Sequence, residues 1–175
     1  MGETLVELRA AKIPGWSGYF ADHFWLLVLN DVIGTSYRSS ERWEIWQHAN
    51  CNDTCWGHLH LNLLKPCQDC GNGPSRSIRK WNGVDAQTII RRIHSAPETY
   101  PYNNIYRYWP GPNSNTFAQW VVRDKMTLPF RAAGRLYPVP KSRDNKTDEP
   151  QSGLRAFWKI NDDWSRRGYP VRYPP

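Results

Sequence analysis

The sequence predicts an α+β fold, a small antiparallel sheet packed against two or three helices. Three observations lead there. Fourteen Pro and twelve Gly in 175 residues cut the chain into short elements, which excludes a helix bundle. Period-two alternation of apolar and polar residues dominates the stretches before residue 71. Helical i, i+3, i+4 spacing emerges in only two stretches, both after residue 82. Hydrophobic residues make up 39%, but ten Trp, nine Tyr and five Phe supply enough buried area for one core. One domain is expected over 1–140, with a cysteine-bearing insertion at about 49–73. A linker and an extended aromatic, Pro-rich tail follow over 141–175.

Thr4 to Arg9 alternates well enough for a first strand, and Ile13 to Gly18 is turn-rich. Phe20 to Leu29 reads as a mostly buried strand, with His23 at its entrance and Trp25 on the same face. Thr35 to His48 is a second strand, hairpin-connected to it. In Trp56 to Leu64, Leu59, Leu61 and Leu63 point one way while His58, His60 and Asn62 point the other. Gly71 to Pro74 breaks the chain. A helix then opens at Gly83-Val84-Asp85, with Asp85 as N-cap and Ile89, Ile90 and Ile93 as its buried stripe, and Pro97 stops it. Tyr100 to Trp109 alternates aromatic and polar residues, and Pro110-Gly111-Pro112 turns the chain. A second helix starts near Asn115, buries Phe117, Trp120 and Val121, and ends before Pro129. Beyond Lys141, Phe157, Trp158, Ile160 and Trp164 form a last apolar cluster expected to dock on the domain.

The formal net charge is +7. That balance suits an anionic cell-envelope polymer or lipid as partner; nucleic acid is the weaker fit, because the cations are spread along the chain with no dense run. No stretch approaches the ~20 apolar residues of a membrane span, and no signal-peptide pattern follows Met1. The expected location is the cytoplasm, or the cell envelope after processing.

Four cysteines fall in one window, Cys51, Cys55, Cys67 and Cys70. Two close pairs suit a structural zinc, whose tetrahedral ligand set closes over short loops. The same spacing suits two disulfides, nested as Cys51–Cys70 and Cys55–Cys67. Both roles are structural, and no cofactor for catalysis is implied.

Asn113-Ser114-Asn115-Thr116 places four hydrogen-bonding side chains at the start of the second helix. A hydroxyl nucleophile benefits there from the helix dipole and from backbone N–H donors that hold an oxyanion. Ser114 is the candidate nucleophile and His23 its base, with Asn113, Asn115 or His58 to orient the imidazole. Trp25, Tyr106 and Trp109 are the candidate substrate contacts. The competing reading is that Ser, Asn and Thr here do nothing but cap the helix.

The residues Ala21-x-His23-x-Trp25, Trp56-Gly57, Tyr100-Pro101-Tyr102 and the block Trp109 to Phe117, WPGPNSNTF, resemble an uncharacterised bacterial family, one of the domains of unknown function. The resemblance runs from about Val6 to Tyr137. The order of parts is also similar to the circularly permuted papain-like hydrolases of the NlpC and lecithin-retinol acyltransferase types. That similarity implies a strand-borne His first, matched by His23; a middle polar residue, with His48, His58 and His60 as contenders; and an Asn-Cys pair opening a late helix. Ser114 stands where those enzymes carry Cys. The resemblance thus implies a Ser-dependent amidase, esterase or acyltransferase on peptidoglycan or lipid, or a fold that has lost its original catalysis. The alternative is a non-catalytic binding or assembly module that uses the aromatics of Tyr100 to Trp109 with Arg107 on a polyanion or protein partner.

Overall fold

The computed structural model describes residues 3–49 and 55–140. Among them are strands β1 (Glu3–Lys12), β2 (Asp22–Val32), β3 (Ser39–Ile45), β4 (Leu59–Leu61) and β5 (Arg76–Trp81), then helices α1 (Gly83–Thr99) and α2 (Ser114–Val122). The strands form one antiparallel sheet in the order β4-β3-β2-β1-β5, so the fold is a small α+β one. β2 occupies the centre, as its almost unbroken apolar run demands, since a strand covered on both faces has no side to spare for water.

Alternation along the strands sorts two faces. Val6, Leu8 and Ala10 of β1, Phe24, Leu26 and Val28 of β2, and Trp43 and Ile45 of β3 face the helices. They meet Ile89, Ile93 and Ala96 of α1 and Phe117, Val121 and Val122 of α2 in the main core. The other face carries Ala11, Trp25, Leu27 and Leu29, together with Cys70 from the chain that crosses over it. His23, Arg42 and Glu44 alternate onto this second face. Residues 62–75 cover it: Trp25 Nε1–H donates to the Pro66 carbonyl, and Arg9 donates to Ser75. The Cys67 and Cys70 pair of the cysteine window is therefore part of a lid over the sheet.

Several boundaries differ from expectation. β5 was not anticipated from the sequence. Four of its six residues are exposed, as suits an edge strand whose charged side chains discourage further pairing. α1 begins after Asn82, not Asp85, and continues through Pro97 to Thr99. The proline is tolerated in the last turn, where Asn103 Nδ2 donates to the Ala96 and Pro97 carbonyls. Tyr100 to Trp109 is a series of turns and bends without strand pairing, and the expected strand at Trp56 to Leu64 pairs only over Leu59–Leu61. Within α2, Trp120 is half-buried, its ring at the core edge beneath the Arg123 guanidinium. The tail over 141–175 and its apolar cluster lie outside the described residues, as does Cys51. No helix among the described residues is long and apolar enough to cross a membrane.

Two apolar residues of α1, one in its buried stripe and one outside it, supply a direct check on the core. Ile89 is fully buried and Val84 is 77% exposed. Ile89→Ala is expected to lower the unfolding free energy by about 2–5 kcal/mol, and Val84→Ala to change it by less than about 0.5 kcal/mol, in urea titrations.

Candidate active site

Asn113 is the N-cap of α2. Its side-chain oxygen accepts from the Asn115 and Thr116 N–H groups, while Thr116 Oγ1 accepts from the Asn113 N–H, which closes a capping box. The Phe117 N–H makes the first helical bond, to the Asn113 carbonyl. Of the N–H groups at this helix start, only that of Ser114 has no protein acceptor among the described residues. Capping is therefore complete without the Ser114 hydroxyl, which is left for another partner.

That partner is His23. Its Nδ1 lies 2.9 Å from Ser114 Oγ, and its Nε2 lies 2.7 Å from Glu44 Oε2. An ionised carboxylate only accepts, so in the neutral imidazole Nε2 carries the proton and Nδ1 presents its lone pair to the hydroxyl. Ser114 O–H donates to it; the competing acceptor, Asn115 Oδ1, stands farther off at 3.4 Å. The result is a Ser-His-Glu relay in which the two ring nitrogens have exchanged the places they hold in the chymotrypsin triad.

Glu44 is ion-paired beneath the ring. Arg42 Nη2 donates to Oε2 at 2.9 Å, and Arg42 Nε approaches Oε1 at 2.8 Å with its N–H aimed off the oxygen, so Nη2 carries the hydrogen bond. The remaining guanidinium donor, Nη1, is taken by the Lys65 and Gln68 carbonyls of the covering segment, and the guanidinium carbon sits 4.1 Å over the Trp25 ring. Burial pushes the Glu44 carboxyl upward, but the His23 hydrogen bond, with the His23 and Arg42 charges, outweighs it and holds the group below its ordinary value. Arg42 and Glu44 are 0% exposed, while His23 and Ser114 retain 5% and 6%. The hydroxyl end of the relay is thus the outermost.

Two further clamps fix the geometry. Asn115 ties α2 to the sheet: its Oδ1 accepts the Phe24 N–H, and its Nδ2 donates to the Asp22 and Ala133 carbonyls. Asp22, buried at the start of β2, takes Arg131 through both carboxylate oxygens and pairs also with Arg76. Arg131 in turn donates to the Gly18 and Tyr19 carbonyls. The 131–134 segment is thereby held against Asn113; at Gly134 (φ +90°) a Cβ would come within 2.4 Å of Asn113 Nδ2.

Of the expected site residues, His23 and Ser114 are brought together. Asn113 and Asn115 do not touch the imidazole; the first caps and the second staples. His58 is also displaced from the expected role: its Nδ1 meets the Trp46 carbonyl and its ring faces Tyr106, because β4 lies one strand beyond β3. His60 bonds the His48 carbonyl. Trp25 is fully buried under Arg42, which removes it from any substrate surface. Tyr106 is half-buried, and burial pushes its phenol up to about 12. Trp109 is 73% exposed. Glu44 and Arg42 were missed; the signal was an Arg-x-Glu alternating with Trp43 and Ile45, which puts two charges on a face next to Trp25.

Cys67 and Cys70 are free thiols, so neither nested disulfide is closed at these positions. Burial, with the neighbouring Glu44 charge, pushes the Cys70 thiol up to about 12. Among the described residues no group of three or more His, Cys, Asp or Glu side chains converges as a metal site.

Removing the Glu44 charge strands the buried Arg42. Glu44→Gln is expected to cost about 3–5 kcal/mol at neutral pH in urea titrations. Because its carboxyl is held below 4.5, the Glu44 contribution is fully present above that value and is lost as pH falls through the folded-state pKa. The difference between wild type and Glu44→Gln should shrink on acidification below about 4.5.

A family model described as Protein of unknown function (DUF3750) matches residues 3–137, close to the span over which the resemblance was expected. No curated protein and no solved structure matches the chain.

Proposed function

The chain belongs to the DUF3750 family, whose description assigns no activity, and we propose from its geometry that it is a serine hydrolase or acyltransferase acting on amide or ester bonds. The observation that carries this reading is the Ser114 Oγ–His23 Nδ1–Glu44 chain, at 2.9 and 2.7 Å, at the start of a helix already capped by another residue. A serine that only capped α2 would spend its hydroxyl on the helix N–H groups. Here Asn113 and Thr116 serve that purpose, and the hydroxyl faces a base oriented by a buried carboxylate.

The chemistry follows the roles of these atoms. Ser114 Oγ attacks the carbonyl carbon of the substrate while its proton passes to His23 Nδ1. Glu44 stabilises the imidazolium so formed, and Arg42 adds to the charges that keep the fully buried Glu44 ionised. The developing oxyanion has the unused Ser114 N–H and the positive end of α2 as its stabilising partners. The tetrahedral adduct collapses, expelling an alcohol or amine that takes the proton back from Nδ1. Water, or an acceptor nucleophile, then attacks the acyl-serine by the same proton route, releases the acyl group and restores the hydroxyl. The papain-like similarity in order of parts supports the same assignment of His23 and Ser114, with Glu44 in the middle position in place of a histidine.

A fluorophosphonate probe tests the nucleophile. The folded protein is expected to take one label on Ser114, located by peptide mass spectrometry. Ser114→Ala should take none, and His23→Gln should react about 10²–10⁴-fold more slowly. A wild-type protein that never labels, with its folding verified by near-ultraviolet dichroism, removes the nucleophile from the account.

A further inference from the structure

Chain segments that flank His23 and Ser114 in sequence also line an open groove of about 700 Å³, within the size range of small-molecule sites. Its walls include Trp16, Phe20, Trp109, Phe130 and Leu136, each at least 70% exposed, an unusual concentration of large apolar side chains on a water-facing surface. We propose that this groove seats the acyl chain of the substrate, so that the ester or amide presented to Ser114 belongs to a long-chain acyl group. The inference rests on the hydrolase reading above and names its substrate class.

Two observations select this occupant. The first is continuity with the relay. Ala21, in the groove wall, is followed directly by Asp22 and His23; Tyr108, Trp109 and Pro110 lead through the turn into Asn113 and Ser114; Ala133 and Gly134 accept hydrogen bonds from Asn115 and Thr116. Three segments that build the groove therefore also hold the two ends of the reacting pair. The second is the chemistry of the lining. Apart from Ser17, Arg135 and the tyrosine hydroxyls, the wall presents aromatic, aliphatic and proline surface. A glycan or peptide would leave its hydroxyls and amides without partners there, at a cost for each. A methylene chain has no such groups and gains from every carbon removed from water. The Arg135 cation in the same wall suits a substrate whose remaining part is anionic.

The full chain carrying Ser114→Ala isolates binding from turnover. Palmitate should displace a fluorescent fatty acid from it, octanoate should do so more weakly and acetate not at all. Phe130→Ser and Leu136→Ser, both at surface-exposed positions, should each weaken palmitate by about tenfold. On the unmutated enzyme, kcat/KM for p-nitrophenyl esters should rise about twofold or more per methylene from acetate to octanoate. Absence of displacement from Ser114→Ala, or binding indifferent to both groove substitutions, overturns the acyl site. Hydrolysis with one kcat/KM at every chain length overturns it as well while leaving the hydrolase reading intact. Displacement without labelling or turnover in the unmutated enzyme overturns the hydrolase reading and leaves the acyl site standing.

Discussion

The Arg42–Glu44 ion pair is the interaction on which the remaining geometry depends. Two charges taken fully out of water cost several kcal/mol each unless they meet each other and their leftover donors meet acceptors. Here Arg42 Nη2 donates to Glu44 and Nη1 to the Lys65 and Gln68 carbonyls, over the face of Trp25, while Nε and Glu44 Oε1 face each other in charge contact without a hydrogen bond. The covering segment and the second face of the sheet are therefore conditions for burying the pair. In return, Glu44 presents a fixed, ionised oxygen to His23, which sets the tautomer that leaves Nδ1 open toward Ser114.

The other half of the arrangement is the anchoring of α2. A nine-residue helix does not hold its position by backbone hydrogen bonds alone, and its buried residues Phe117, Val121 and Val122 fix only its flank. Asn115 fixes its start against β2 at the Phe24 N–H and the Asp22 carbonyl. Asp22, through Arg131, fixes the segment that accepts from Asn115 and Thr116. The same 131–136 segment forms a wall of the apolar groove, so the proposed acyl site and the proposed nucleophile share one scaffold.

Much of this was legible in the sequence, and the divide follows physical lines. His23 on a buried strand and Ser114 at a helix start were found because each depends on local pattern: alternation in one case, capping chemistry in the other. The α+β class followed from the same periodicities. Glu44 was not found, because Thr35 to His48 reads by its aromatics, and a carboxylate in a strand has water as its usual neighbour; only the covering segment makes it buried. β5 escaped because four exposed residues dilute its alternation, and its pairing with β1 is a contact between distant parts of the chain. His58 was favoured for its residue type, yet sheet order, which no local pattern encodes, puts β3 between it and His23 of β2.

The central claim is that a neutral His23 stands ready to take the Ser114 proton, and its tautomer tests this most directly. Nitrogen-15 NMR of ring-labelled histidine, with His23 assigned by its loss in His23→Gln, distinguishes protonated from bare ring nitrogens. At a pH where His23 is neutral, Nε2 should be protonated and Nδ1 bare, with a strongly downfield Nε2–H proton that disappears in Glu44→Gln. A proton on Nδ1, donated to Ser114 Oγ, would leave the serine without a base and contradict the account.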